Sequence, residues 1–576
     1  MEPNNYADIL ENLAVKQLQI AEAWISDIPP TGRAALLIEG FRVVDFLHVH
    51  KAFSEQFQKQ IDFPSFDIML KGLNCAIHYL LPSLTGCDGI PMVESTPVTQ
   101  NNAKAILYHF GVYVMLKRTA DMLKFGIVSI TESNNELTVT MTEQAGTDHF
   151  LDAIESTKFI KFLERKKTGK KIDEELYREK IEELMKSLVS KWDTGNGIVI
   201  GYNTQPEIDV YFEDLVSHVI LEWQRSAGIP PTAKFGNISG AQLLEIGAIL
   251  VSVTLKHLHF VLLGIKQIPE ANYLMSLTTW RNPATLIENI HSLTGIDAHL
   301  VKEAIKFFTI KSVDSVYFLT ESTPFIPLLV EVSPNYVLSP IAGIFSNPFS
   351  SVRKYGEYQS SITQTLIREP RENWMISDLV AMFRGNKYKV IDKPIDLKSN
   401  ERFITDIDTA IWNSVANELA LFQLKWQDFD THNIRGQRSR AKNFVTQVDD
   451  WVEKIESWIH TYGIDKLLKR MQIQADSGVT IYLFAIGRNA SRFRSYGYDL
   501  KQKGIATGSW PQFLRLRFQI GPVDNVFKGL FDELIKERDV PIDKQPIPHS
   551  FVVDNFVITY ENMWFRFPEE NLNRVH

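Results

Sequence analysis

One short run, Leu419-Ala-Leu-Phe-Gln-Leu-Lys-Trp426, constrains this 576-residue chain more than any other. An apolar run of this length reads as a strand covered on both faces. Side chains alternate along a strand, so Gln423 and Lys425 share one face, while Phe422, Leu424 and Trp426 take the other. An uncompensated ammonium in such a strand is costly, so the fold must bring it an oxygen-rich partner. The preceding strand-like run, Phe403-Ile-Thr-Asp-Ile-Asp-Thr-Ala-Ile-Trp412, offers one by placing Asp406 and Asp408 on a single face. Carboxylate and amide oxygens together suit Mg²⁺, and a lysine beside them can stabilise negative charge on a phosphate.

The elements around these runs alternate. Trp374 to Phe383 is a short amphipathic helix ending at Arg384-Gly385, and Lys387-Tyr-Lys-Val-Ile391 is a strand. After the two runs, Lys442 to Tyr462 places Phe444, Val448, Trp451, Val452, Ile455 and Trp458 on one helical face. Val479-Thr-Ile-Tyr-Leu-Phe-Ala-Ile486 is a buried-strand run. The order is helix, strand, strand, strand, helix, strand.

This stretch resembles the core of the PD-(D/E)xK nuclease superfamily, in the variant with Q-x-K in place of E-x-K, and most of all the Mrr-like restriction endonucleases. The resemblance covers Glu369 to Arg488, about a fifth of the chain. It implies a C-terminal α/β restriction-endonuclease-like domain with a helix-β-β-β-helix-β core. It assigns Asp408 as principal metal ligand, Gln423 as second ligand together with its backbone neighbour Leu424, Asp406 as auxiliary acid and Lys425 as catalytic lysine. The implied activity is Mg²⁺-dependent (or Mn²⁺-dependent) hydrolysis of DNA by an endonuclease, in bacterial restriction or anti-phage defence, by a dimer or larger homo-oligomer. The family's first-helix acid has two candidates, Glu372 and Asp378, neither in the usual register. The competing expectation is a non-catalytic nucleic-acid or protein-binding module that keeps the fold.

Two basic clusters flank the motif. His432 to Lys442 carries Arg435, Arg438, Arg440 and Lys442 with no acid and reads as a phosphate-contact loop at a helix N-terminus. Arg492 and Arg494 lie just past the last core strand, with Phe493 and Tyr496 interleaved.

The rest of the chain is mainly helical up to residue 320. The expected fold class is α+β multidomain. Its segments are a helical domain with a β-hairpin (1–165), a helical middle region (166–320), a β-containing bridge (321–370), the nuclease-like domain (371–500) and its C-terminal extension (501–576). The hairpin falls between Phe125 and Met141, and the bridge ribbon pairs Phe325–Val332 with Tyr336–Pro340. Leu163 to Lys186 is a charge-dense segment read as a solvated helix or interdomain connector.

Composition limits the alternatives. A formal charge of −8 argues against a histone-like coat and leaves a local basic groove open. Cys75 and Cys87 support neither a disulfide framework nor a zinc pattern. No signal peptide is visible, and apolar runs such as Phe260–Ile265 fall short of the roughly 20 residues a membrane helix needs. These features predict a soluble protein of a reducing cytoplasm. His48/His50 and His257/His259 sit two apart on helices and point apart, Gly195-Asn-Gly197 reads as a turn, and Pro206-Glu-Ile-Asp209 starts a helix.

Overall fold

The computed structural model describes residues 3–53, 62–85, 93–142, 148, 151, 155, 171–319, 326–359, 361–426, 434–475, 478–538 and 545–566. The fold is α+β and multidomain. The chain divides into two compact units, one formed by Met1–Asp121 with Lys170–Ile367, the other by Met122–Gly169 with Arg368–His576. The division is not linear along the chain: the expected hairpin forms as Val128–Ser133 and Glu136–Met141, yet it belongs to the second unit.

The first unit is mostly helix. Helices Phe63–Thr85 and Pro97–Lys124 approach at Gly72 and Gly111, where an added Cβ would lie 2.0 Å from the Leu107 carbonyl oxygen and 1.9 Å from that of Ile68. Only glycine allows backbones this close. The helix Gly240–Gln267, opened by a Ser239–Gln242 capping box, is long and apolar enough to cross a membrane, contrary to the run-length expectation. Most of that stretch is buried inside the unit, packed with Ile220, Leu277, Phe308 and Phe349. The bridge ribbon forms as Leu329–Ser333 and Tyr336–Ser339 inside a four-stranded sheet, flanked by Thr279–Arg281 and Thr309–Ile310. His257 bonds Tyr202 and the Ser276 carbonyl, whereas His259 packs on Phe212, so the two rings serve different neighbours.

The second unit is built on a five-stranded sheet. Its elements are α1 (Ser361–Ala381), β1 (Tyr388–Ile391), β2 (Ile395–Ser399), β3 (Arg402–Ile407), β4 (Thr409–Asn413), β5 (Glu418–Lys425), α2 (Ile434–Tyr462), β6 (Thr480–Gly487), β7 (Ile505–Ser509), α3 (Trp510–Ile520) and α4 (Val526–Arg538). The sheet order is β1-β4-β5-β6-β7, antiparallel through β5 and parallel from β5 onward. Alternation along β5 splits its side chains between two cores. Leu419 and Leu421 join Phe444, Val448, Trp451 and Ile455 of α2. Ala420, Phe422 and Leu424 join Leu379 of α1, Phe513 of α3 and Leu530 of α4. The sheet is thus sandwiched between helices.

Two elements differ from the sequence reading. The expected single strand Phe403–Trp412 is two strands broken by a one-residue bend at Asp408: β3 pairs with β2, and β4 enters the main sheet. Helix α2 begins at Ile434, not Lys442, so the expected basic loop is largely helix, and His432 lies outside the described residues. The C-terminal segment supplies strands Gln545–Val553 and Phe556–Arg566. These join the Val128–Met141 hairpin in a sheet of their own, with Phe556–Arg566 parallel to Glu136–Met141.

Candidate functional site

The carboxyl end of β5, the turn at Asp408 and the inward side of α2 enclose a cavity of about 640 Å³. Asp406, Asp408, Gln423 and Lys425 all line it, joined by Glu372 of α1 and Arg440 of α2. Its location follows from topology. Strand β5 is where antiparallel pairing gives way to parallel, and the cavity opens at its carboxyl end, between the sheet and the helices on either side.

Asp408 is anchored by three bonds. Its backbone N–H donates to the Phe422 carbonyl at 3.1 Å. Its Oδ2 accepts from the Leu424 N–H at 2.5 Å and from Gln423 Nε2 at 2.8 Å. Burial pushes its pKa up to about 6, with Asp406 and Glu372 adding to the rise, while the Leu424 N–H and the Lys425 ammonium oppose it. Among the described residues, Oδ1 accepts no hydrogen bond and Lys425 forms no hydrogen bond or ion pair. Both groups therefore have capacity for something in the cavity.

The supports are specific. Trp451 of α2 donates its indole N–H to the Asp406 carbonyl at 2.7 Å, and Trp458 donates to the Lys398 carbonyl at 3.1 Å, so the α2 face fixes the β2–β3 hairpin. Gln423 is 5% exposed, so its amide is held between the strand and the Asp408 carboxylate. Asp406 on β3 and Asp408 at the bend that follows it both reach the cavity. Of the two first-helix acids, Glu372 lines the cavity, whereas Asp378 lies 4.0 Å from the buried guanidinium of Arg488.

The basic residues divide. Arg440 faces the cavity in register with Asn443, Phe444 and Gln447 of α2. Arg438 turns away and stacks on the rings of Phe125 and Tyr498, at 5.0 and 5.6 Å. Arg435 and Lys442 are exposed and lie on the Arg438 side of the helix by its 3.6-residue period. Arg492 and Arg494 do not line this cavity. They bond the Glu537 and Arg538 carbonyls at the C-terminal end of α4, where cations meet the negative end of a helix dipole. Sequence reasoning missed Arg371 and Trp426 as cavity residues. Trp426 was assigned to the opposite face by alternation, but β5 ends at Lys425 and the rule ends with it.

Among the described residues, no group of three or more His, Cys, Asp or Glu is arranged to hold a metal ion. The donors that face the cavity are oxygens: the free Oδ1 of Asp408, the Asp406 and Glu372 carboxylates, and the Gln423 amide after a half-turn. A sparse oxygen set beside a roomy polar cavity fits Mg²⁺, which retains several waters and takes one or two carboxylates. Comparison with known protein families, curated proteins and solved structures finds no match.

Proposed function

We propose that the second unit is a nuclease of the PD-(D/E)xK type, in the Q-x-K variant, hydrolysing phosphodiester bonds of DNA with Mg²⁺ or Mn²⁺. The observation that carries this reading is the convergence of Asp408, Gln423 and Lys425 in one cavity, on adjacent strands, with oxygen and ammonium both left available. The succession α1, antiparallel strands, crossover helix α2 and parallel β6 supports it. So does the Mrr-like pattern of the sequence, which also suggests a role in restriction or anti-phage defence inside the cell. Asp408, Asp406 and Gln423 would hold the cation, and Glu372 is placed to add a fourth oxygen donor. Once bound, Mg²⁺ supplies Lewis-acid polarisation of the phosphoryl oxygen and lowers the pKa of a nearby water. Lys425 places a positive charge where the phosphate gains negative charge during attack. Arg440 positions the backbone from the helix side. The Leu424 N–H and the Gln423 amide fix the orientation of the Asp408 carboxylate.

One observation favours a second reading. The Gln423 amide now presents its donor to Asp408, which satisfies the carboxylate internally, as a binding module without turnover would do. Incubating the full chain with plasmid DNA and Mg²⁺ or Mn²⁺, beside Lys425→Ala and Asp408→Ala, separates the two. The nuclease reading expects cleavage that drops at least about 100-fold in each variant, since the residues act together at one reacting centre. Cleavage that survives both substitutions overturns the site, and DNA binding without cleavage under any metal favours the binding module.

A further inference from the structure

Phosphate chemistry uses only Arg440 on the α2 wall of this cavity. Helix α2 packs on the sheet through a buried stripe that includes Phe444, Val448 and Trp451. Beside it runs a polar stripe of Arg440, Asn443, Gln447 and Asp450, all of which line the cavity. Steps of three, four and three residues keep this stripe on one edge of the helix. Most polar side chains of this part of α2 are engaged. Asp450 is paired with Lys454 at 2.7 Å, and Gln437 accepts from the Tyr496 hydroxyl at 3.1 Å. Asp449 accepts from the backbone N–H groups of Lys501 and Gln502 at 3.0 and 3.1 Å. Asn443 and Gln447 are different. Both are exposed to the cavity, and among the described residues neither forms a hydrogen bond.

We propose that Asn443 and Gln447 read base edges beside the scissile phosphate and select adenine near the cut. This rests on the nuclease reading and deepens it with a sequence preference. An amide presents its oxygen and its NH2 group side by side in one plane. That pair matches the N6 donor and N7 acceptor of adenine in a bidentate contact. A phosphate offers acceptors only, so an amide facing it leaves its own oxygen unpaired beside an anion. The cavity already supplies cations for phosphate, Lys425 from β5 and Arg440 from the same edge of α2. The N6 and N7 edge of adenine is open in the major groove of a duplex and in a single strand, so both forms of DNA can meet the two amides. Asn443 and Gln447 are one turn apart, about 6 Å along the helix axis, close to two base steps of about 3.4 Å. Each amide therefore has a base of its own.

The full chain is incubated with DNA of randomised sequence and Mg²⁺ or Mn²⁺, and the new ends are sequenced. Adenine should be enriched at two positions near the cut, about two steps apart. Asn443→Ala and Gln447→Ala should each lower the preference for adenine about tenfold at one of these positions. Alanine suits an exposed helix position, so both variants keep the fold. Gln447→Glu replaces the amide donor by a second acceptor. It should shift the preference at its position from adenine to cytosine, whose N4 amino group is a donor. A merely structural role changes the overall rate and not the base preferred at one position. Thr446→Ala, exposed and not lining the cavity, should leave the preference as it is. Cleavage without adenine preference, or a preference that survives in both alanine variants, would overturn base reading by α2 while the nuclease reading stands. If the parent chain cuts no DNA with either metal, the nuclease reading falls and base reading falls with it.

Discussion

Asp45 in the first unit and Asp408 in the second are both desolvated carboxyl groups, and they are opposite in kind. Asp45 is fully buried, and its oxygens are matched inward. Thr278 donates to Oδ2 at 2.5 Å, the Ala342 N–H donates to Oδ1 at 2.7 Å, and Ile341 adds a backbone bond. Burial lifts its pKa to about 7 all the same. Asp408 is lifted to about 6, but its bonds fall on one oxygen only, and the other side opens to a cavity with a lysine. A raised pKa alone therefore does not distinguish a structural acid from a working one. What distinguishes them is whether the remaining hydrogen-bonding capacity points into protein or into space.

Removing each acid should separate the two roles. Asp45→Ala leaves the Thr278 hydroxyl and the Ala342 N–H unsatisfied in a core, and is expected to lower stability by about 2–4 kcal/mol in chemical denaturation. Asp408→Asn should leave the melting temperature unchanged or higher, because it removes a desolvated charge, while abolishing the proposed cleavage. Equal losses of stability in both would erase the contrast.

Glu372 and Asp378 sharpen the comparison within α1. Glu372→Gln should reduce cleavage about tenfold, the scale of losing one supporting charge at a reacting centre, and Asp378→Asn should change it less than about twofold. The reverse ranking would move the helix acid to Asp378.

The pH response gives the smallest and most specific signal. The folded pKa of Asp45 lies near 7, against 3.8 for an aspartate free in water. The folded state therefore retains a proton that the unfolded chain has released. Its stabilising contribution is complete below about pH 4 and is lost as pH rises through about 7. Asp45→Asn keeps an acceptor for the Ala342 N–H and has no proton to lose. The difference in unfolding free energy between parent and variant should therefore change across that window and flatten above it. A constant difference would show that Asp45 does not titrate there.

Much of this was legible in the sequence for a local reason. Apolar alternation in Leu419–Trp426 and the helical face of Phe444 to Trp458 are burial patterns written along single elements, and both elements formed. The long-range features were not legible. The break at Asp408 leaves β3 paired with β2, and their hairpin turn at Asn400–Glu401 has positive φ at both residues without a glycine to mark it. Arg435 to Lys442 looked like a loop because it lacks apolar residues at helical spacing, but four-residue backbone bonding does not need them. The removal of Arg492 and Arg494 from the site follows from where α4 ends, which no local pattern encodes.

The pairing of Glu136–Met141 with Phe556–Arg566 has a consequence for synthesis. The first of these strands leaves the ribosome some four hundred residues before this partner exists, so it must wait with only its hairpin mate Val128–Ser133 while the helical unit is made. Fragments that begin at Arg368 lack half of that sheet, and their Phe556–Arg566 strand is left with a bare edge open to other chains. Until strands 545–566 have been translated, the four-stranded sheet of the second unit is only half built.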